Sequence, residues 1–312
     1  MKLLLSSRLL ALIAGALFLP LAVAQNLVRD VRSDIGKNDF TSAEGRIGKY
    51  RVSSGVTSEM LEALSWLGRG ALAAKQLDRA EGYAAETHKL ALEMLKSRRL
   101  DADGNLPTAL GAAIEVEAQV KAARGERSEA IDFLGRELGA YRGTSIRTRI
   151  QKNINLLSLE GKPAPDLEMR EWLGPKPSGL SGLKGHVVLL FFWAHWCGDC
   201  KAQAPILARL NREYGPRGLV LMGPTARYGY ISRGQDATPA EELKYIAEIR
   251  AQYYAELAGM PVPVSEETFK NYGVSTTPTL VLIARGGLVR LYHPGQMSYE
   301  ELASITEAAL KK

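Results

Sequence analysis

Cys197 and Cys200, in the tetrapeptide Cys197-Gly198-Asp199-Cys200, are the only two cysteines in a chain of 312 residues. A bridge across so short a loop barely constrains the unfolded chain, so the pair is poorly suited to stapling a fold. The chemistry that suits it is thiol–disulfide exchange. Cys197 follows an apolar run and stands where a helix begins; the positive end of that helix favours a thiolate, which marks Cys197 as the expected attacking sulfur. Cys200, one turn later on the same side, is placed to resolve a mixed disulfide. Asp199 beside them disfavours the thiolate, which raises the Cys197 pKa and makes the couple more reducing. His195 would push the other way if protonated, but at neutral pH it is mostly uncharged, so Asp199 is expected to dominate. Zinc is a poor alternative. Two sulfurs with His88, His186, His195 and His293 offer no ligand spacing, so no metal and no cofactor are expected.

The elements that must position this pair are legible around it. Val187 to Trp193 is a continuous apolar run, as in a central strand covered on both faces. Leu219–Met222 and Thr279–Ala284 are two further buried runs, and Gly286-Gly287 turns the last of them into Leu288–Tyr292 as a β-hairpin. Thr238-Pro239-Ala240-Glu241 is a capping box that opens a helix to about Leu257, and Ser298 with Glu301 starts a terminal helix in the same way. Strands alternating with helices and ending in a hairpin indicate an α/β domain on a mixed sheet.

With those elements in place, Phe192-Trp193-Ala194-His195-Trp196-Cys197-Gly198-Asp199-Cys200-Lys201 resembles the active-site segment of the thioredoxin superfamily. Pro205 falls where that family kinks its active-site helix, and Thr276-Thr277-Pro278-Thr279 resembles its cis-proline loop. The stretch Gly161-Lys162-Pro163-Ala164-Pro165-Asp166 and the long insert between Leu221 and Phe269 are most similar to the TlpA-like thiol–disulfide oxidoreductases. The resemblance covers residues 160–312 and implies a thioredoxin-like fold with a redox-active Cys197–Cys200 disulfide. It also implies substrate binding by Trp196, Thr277 and Pro278, where the backbone of Thr277 pairs with an extended peptide. Protein disulfides are the implied substrates, with an upstream thiol protein as electron donor. One departure is Phe191, which stands where thioredoxin itself carries a buried Asp. The proton acceptor for Cys200 must then be water or lie elsewhere; Glu241, Glu242 and Glu248 of the insert are candidates, each otherwise read as a solvated helix charge. Trp193 reads as packing, and Tyr228, Tyr230, Tyr253 and Tyr254 read as core more readily than as groove.

Residues 25–158 are different in kind: rich in Ala, Leu, Glu, Arg and Lys, with no β-branched runs. Three segments, starting at Asn38, Lys75 and Gly125, each read as a polar turn, a helix start and a small alanine (Ala43, Ala80, Ala130) where a neighbouring helix comes close. With Leu67 and Gly68 upstream of Ala80, the region resembles a degenerate tetratricopeptide array, interrupted by a turn-rich loop at Leu100–Pro107. Asp101-Ala102-Asp103-Gly104-Asn105 looks briefly like a calcium loop, but Leu106 and Ala112 replace the required Gly and Glu, and it reads as a turn. Arrays of this kind offer a concave surface, so a protein partner and the choice of substrate are expected from this region.

Residues 1–24 read as an export signal: Lys2 and Arg8, the apolar run Leu9–Leu19, Pro20, then Ala22-Val23-Ala24. The run spans about 16 Å as a helix, short of a ~30 Å hydrocarbon core, so an uncleaved membrane anchor is the less favoured reading. The expected destination is periplasmic or secreted. The domains read as 1–24, 25–158 and 159–312. The 40 basic and 34 acidic residues, net +6, are scattered along the chain, which gives no footprint for nucleic acid. Two other functions compete. A peroxiredoxin-type thiol peroxidase shares the fold, but that family has Thr where this chain has Ala194 and lacks the Cys-x-x-Cys pair. A non-enzymatic helical adaptor on a thioredoxin-like platform leaves the two cysteines without a purpose.

Overall fold

The computed structural model describes residues 26–311; the proposed export signal lies outside them. Seven helices come first: α1 (Leu27–Gly36), α2 (Phe40–Ser54), α3 (Ser58–Ala73), α4 (Leu77–Leu95), α5 (Asn105–Ala123), α6 (Arg127–Ala140) and α7 (Arg147–Ser158). The three similar segments close three helical hairpins with one backbone geometry. Asn38, Lys75 and Gly125 all take positive φ, at 60°, 59° and 88°. In each case the next N–H (Asp39, Gln76, Glu126) donates to the carbonyl five residues back (Asp34, Ala71, Lys121). That bond satisfies an otherwise orphaned carbonyl at the helix end. Ala43, Ala80 and Ala130 are buried, and a Cβ on Gly68 would sit 3.7 Å from the Ala80 carbonyl oxygen and the Ala84 nitrogen. Small residues therefore stand where the helices approach one another.

The expected loop at Leu100–Pro107 is shorter in the structure. Asp103 Oδ1 accepts from the N–H groups of Asn105 and Leu106, each at 2.9 Å. This caps α5 early, and Pro107 falls in the first turn, where it has no N–H bond to lose.

The second region is a thioredoxin-like α/β domain. Its elements are β1 (Trp172–Leu173), β2 (Val187–Phe192), α8 (Gly198–Tyr214), β3 (Leu219–Met222), α9 (Pro239–Tyr253), β4 (Val262–Pro263), α10 (Glu266–Asn271), β5 (Thr279–Ile283), β6 (Val289–Pro294) and α11 (Tyr299–Leu310). The main sheet runs β3-β2-β5-β6, with β2 parallel to β3 and antiparallel to β5, and β5 antiparallel to β6. Every residue of β2 is buried. Val187, Leu189 and Phe191 pack with α8 and α11 on one face, while Val188, Leu190 and Phe192 pack with Phe269 and Tyr272 on the other. A strand buried on both faces is what an unbroken apolar run requires. Both capping boxes form. Helix α9 ends at Tyr253 rather than Leu257, and a short turn follows. The two-residue strands β1 and β4, and the six-residue α10, are too short to leave a periodic signal in the sequence.

The two regions are in direct contact. Gly273 (φ 62°) lies so close to α7 that a Cβ there would overlap the backbone of Gln151 and Lys152. Arg147 pairs with Glu267 at 3.1 Å. Residues 161–164 run beside the β5–β6 hairpin, with Gly161 N to Val289 O at 2.9 Å and Ala164 N to Gly287 O at 3.0 Å. The Pro-rich boundary is a fixed strap, and α7 is held against the redox half of the molecule.

Candidate active site

Strand β2 ends at Phe192, and the chain crosses Trp193 to Trp196 before α8 begins. Cys197 is the N-cap of α8: its Sγ accepts from the Cys200 backbone N–H at 3.0 Å. A sulfur in that place meets both a backbone donor and the positive helix end, the two features that stabilise a thiolate. Cys197 and Cys200 are joined as a disulfide. Cys197 is 3% exposed and Cys200 fully buried, so what access there is lies on the side of Cys197. Asp199, exposed in the first turn of α8, competes with that sulfur for the same positive helix end.

Three segments are tied together around the pair. The Thr277–Pro278 peptide bond is cis. Gly295 N donates to the Pro278 carbonyl at 2.7 Å, Gln296 Nε2 donates to the Asp199 carbonyl at 2.9 Å, and buried Gln203 exchanges two hydrogen bonds with the backbone of Met297. Residues 295–297 thus staple the proline loop to α8. Gln203 and Gln296 are absent from the sequence reading; the available signal was Gln203 one turn beyond Cys200 on the same helix face.

Trp196 projects outward, 48% exposed, and lines a groove with Thr277, Ala226, Tyr228, Phe269 and Val274. The tyrosines divide in function. Tyr254 is core, packed at a tilt against buried Trp193 with ring centroids 4.7 Å apart. Tyr253 is exposed under Lys201. Tyr228 does both, packing against the core and lining the groove edge-on to Trp196 at 5.4 Å.

Behind Trp196 lies a buried polar cluster. His195 Nε2 donates to Glu242 Oε1 at 3.2 Å. The same carboxylate accepts from Tyr228 N at 2.6 Å and Gly229 N at 2.9 Å, and the rings of Tyr228, Tyr230 and Tyr245 stand edge-on to the imidazole. Glu242 is 1% exposed and not the solvated charge expected, whereas Glu241 serves the capping box and Glu248 faces solvent. Three of its roughly four acceptor sites are taken by His195 and two backbone donors, which makes it an anchor for the loop behind the groove.

Burial lowers the His195 pKa below the usual histidine value, against the opposing pull of Glu242. The imidazole is therefore neutral at pH 7. A base whose pKa drops on folding binds more protons unfolded than folded, so its contribution to stability is lost as pH falls below about 6.5, down through the folded value. Urea melts between pH 8 and 5 should accordingly show a steeper acid loss for the wild type than for His195→Asn. Equal slopes would mean that His195 is not held neutral.

Residues 161–292 match the family model described as the AhpC/TSA family. The chain is 35% identical over 156 residues to the thiol-disulfide oxidoreductase ResA of Oceanobacillus iheyensis, covering 48% of this chain and 73% of that protein. It is 27% identical over 146 residues to the thioredoxin-like protein YneN of Bacillus subtilis, covering 46% and 76%. A solved structure, a thioredoxin family thiol:disulfide interchange protein from Chlorobium tepidum, aligns with 19% identity and a TM-score of 0.38 over 48% of this chain and 96% of that one. No helix among the described residues is long and apolar enough to cross a membrane. With its cysteine pair capping a helix behind a buried strand, and with 35% identity to a ResA over 156 residues that span 73% of that protein, the chain belongs to the thioredoxin-like thiol–disulfide oxidoreductases.

Proposed function

We propose that the protein acts outside the cytoplasm as a reductant of protein disulfides, with Cys197 as nucleophile and Cys200 as resolving thiol. The Cys197 thiolate attacks one sulfur of a substrate disulfide and expels the other as a thiolate, leaving a mixed disulfide. Cys200, deprotonated, displaces the substrate's second thiolate and closes the Cys197–Cys200 bond. Two electrons pass to the substrate, and its two sulfurs end as thiols. An upstream thiol protein then returns two electrons to the pair. Trp196, Thr277 and Pro278 would hold the substrate chain during this exchange.

The observation that carries the reading is the placement of the only two cysteines at the start of α8, with Asp199 in the same first turn. A carboxylate there raises the energy of the thiolate and so favours the oxidised form of the enzyme, which is the property of a reductant. Equilibrating the Cys197–Cys200 couple with dithiothreitol or glutathione buffers tests the direction. A reduction potential at or below about −250 mV is expected; a value near −120 to −180 mV would make the protein an oxidant or isomerase.

A further inference from the structure

The groove beside the dithiol has a wall that the thioredoxin-like region does not supply. Ser145 and Thr148, from the turn before α7 and its first turn, line the same space as Trp196, Tyr228, Thr277, Phe269 and Val274. Its volume is 320 Å³, at the small end of ligand pockets, which run ~300–1,000 Å³. We propose that this edge of the helical region is the far wall of the substrate groove, and that it selects protein disulfides by the residues next to the reacting cysteine. The inference rests on the redox reading above and adds to it where selection takes place: beside the sulfur atoms, not on a distant concave face.

Three observations carry it. The wall is fixed, because Arg147 is paired with Glu267, Gly273 packs on the backbone of Lys152, and Ser145 is hydrogen-bonded to Asp101. The groove is lined by the two residues that lead directly into the reacting loop: Trp196, followed in the chain by Cys197, and Thr277, followed by the cis Pro278. Its chemistry is that of a bed for a polypeptide: Ala226, Phe269 and Val274 with the rings of Trp196 and Tyr228 form an apolar floor, and hydroxyls such as those of Ser145 and Thr148 stand at its edge with the charged groups of Arg227, Glu266 and Lys270. The occupant is therefore an extended segment of a disulfide-bonded protein that places an apolar side chain beside its cysteine. A small disulfide has no such flanking chain and does not reach the wall.

The test compares two disulfides on the full-length reduced protein. Insulin serves as the protein disulfide and hydroxyethyl disulfide as the small one, with second-order rate constants followed by stopped-flow tryptophan fluorescence. Thr148→Arg should lower the insulin-to-hydroxyethyl-disulfide rate ratio about tenfold, the equivalent of one well-placed contact. Thr148→Ser should restore the ratio. Ser145→Arg, on an exposed loop, asks the same question if Thr148→Arg fails to fold. A ratio within about twofold of wild type in both arginine variants, whether or not the absolute rates fall, overturns the proposal. A wild-type protein that reduces neither disulfide overturns the redox reading instead.

Discussion

Cys197→Ser is expected to abolish disulfide reduction, by at least about 10³-fold or ~4 kcal/mol of barrier, whereas Cys200→Ser should leave the first attack intact and stall the second. The asymmetry follows from position. Cys197 Sγ accepts from the Cys200 N–H at the head of α8, while Cys200 is fully enclosed. A serine at 197 keeps the cap but replaces the only accessible thiolate with a hydroxyl that does not ionise near neutral pH. A serine at 200 leaves Cys197 free to attack and removes the sulfur that would release the product. Incubating each variant with insulin and resolving the products on non-reducing gels reads the difference directly. Cys200→Ser should accumulate a covalent adduct that dithiothreitol dissolves, and Cys197→Ser should accumulate none. Adduct with Cys197→Ser alone would reverse the two roles.

What the sequence disclosed follows the range of the interactions concerned. The helical hairpins at Asn38, Lys75 and Gly125 are set by bonds within six residues, so polar turn, helix start and small alanine repeat visibly. The capping boxes at Thr238 and Ser298 and the unbroken run Val187–Trp193 are equally local signals. The groove is another matter. Ser145 and Thr148 carry no chemical signature, and they reach the dithiol only because Gly273 lets α7 settle against the sheet region. Glu242 was half legible. It shares a helix stripe with buried Ile246 and Ile249, at i+4 and i+7, while Glu241 and Glu248 share an exposed one. Phase on α9 was enough to choose among the three glutamates. That it would meet His195, 47 residues away in sequence, was not.

Glu242 is also where a single substitution should cost the most stability. Replacing it with leucine conserves apolar packing, and exchanging both partners of a buried hydrogen bond for apolar groups can be nearly neutral. Here the partners cannot be exchanged, because two of the three are the backbone N–H groups of Tyr228 and Gly229. Each enclosed donor left without an acceptor, the Tyr228 N–H and the His195 Nε2–H, costs about 1–3 kcal/mol, while the N–H of exposed Gly229 can turn to water, so Glu242→Leu should lose roughly 3–5 kcal/mol. In a domain of this size that is about 6–20 °C in Tm. Glu242→Gln retains one carbonyl oxygen for Tyr228 but turns an NH2 group toward Gly229 or His195, and should fall between the two. The thermal order is therefore Glu, then Gln, then Leu, measured on the oxidised full-length protein. The loop that loosens carries Tyr228, which packs edge-on to Trp196. The same series should then raise the KM for insulin more than it lowers kcat. A leucine variant as stable as wild type would show that water or a moved backbone satisfies those donors, and that the carboxylate anchors nothing.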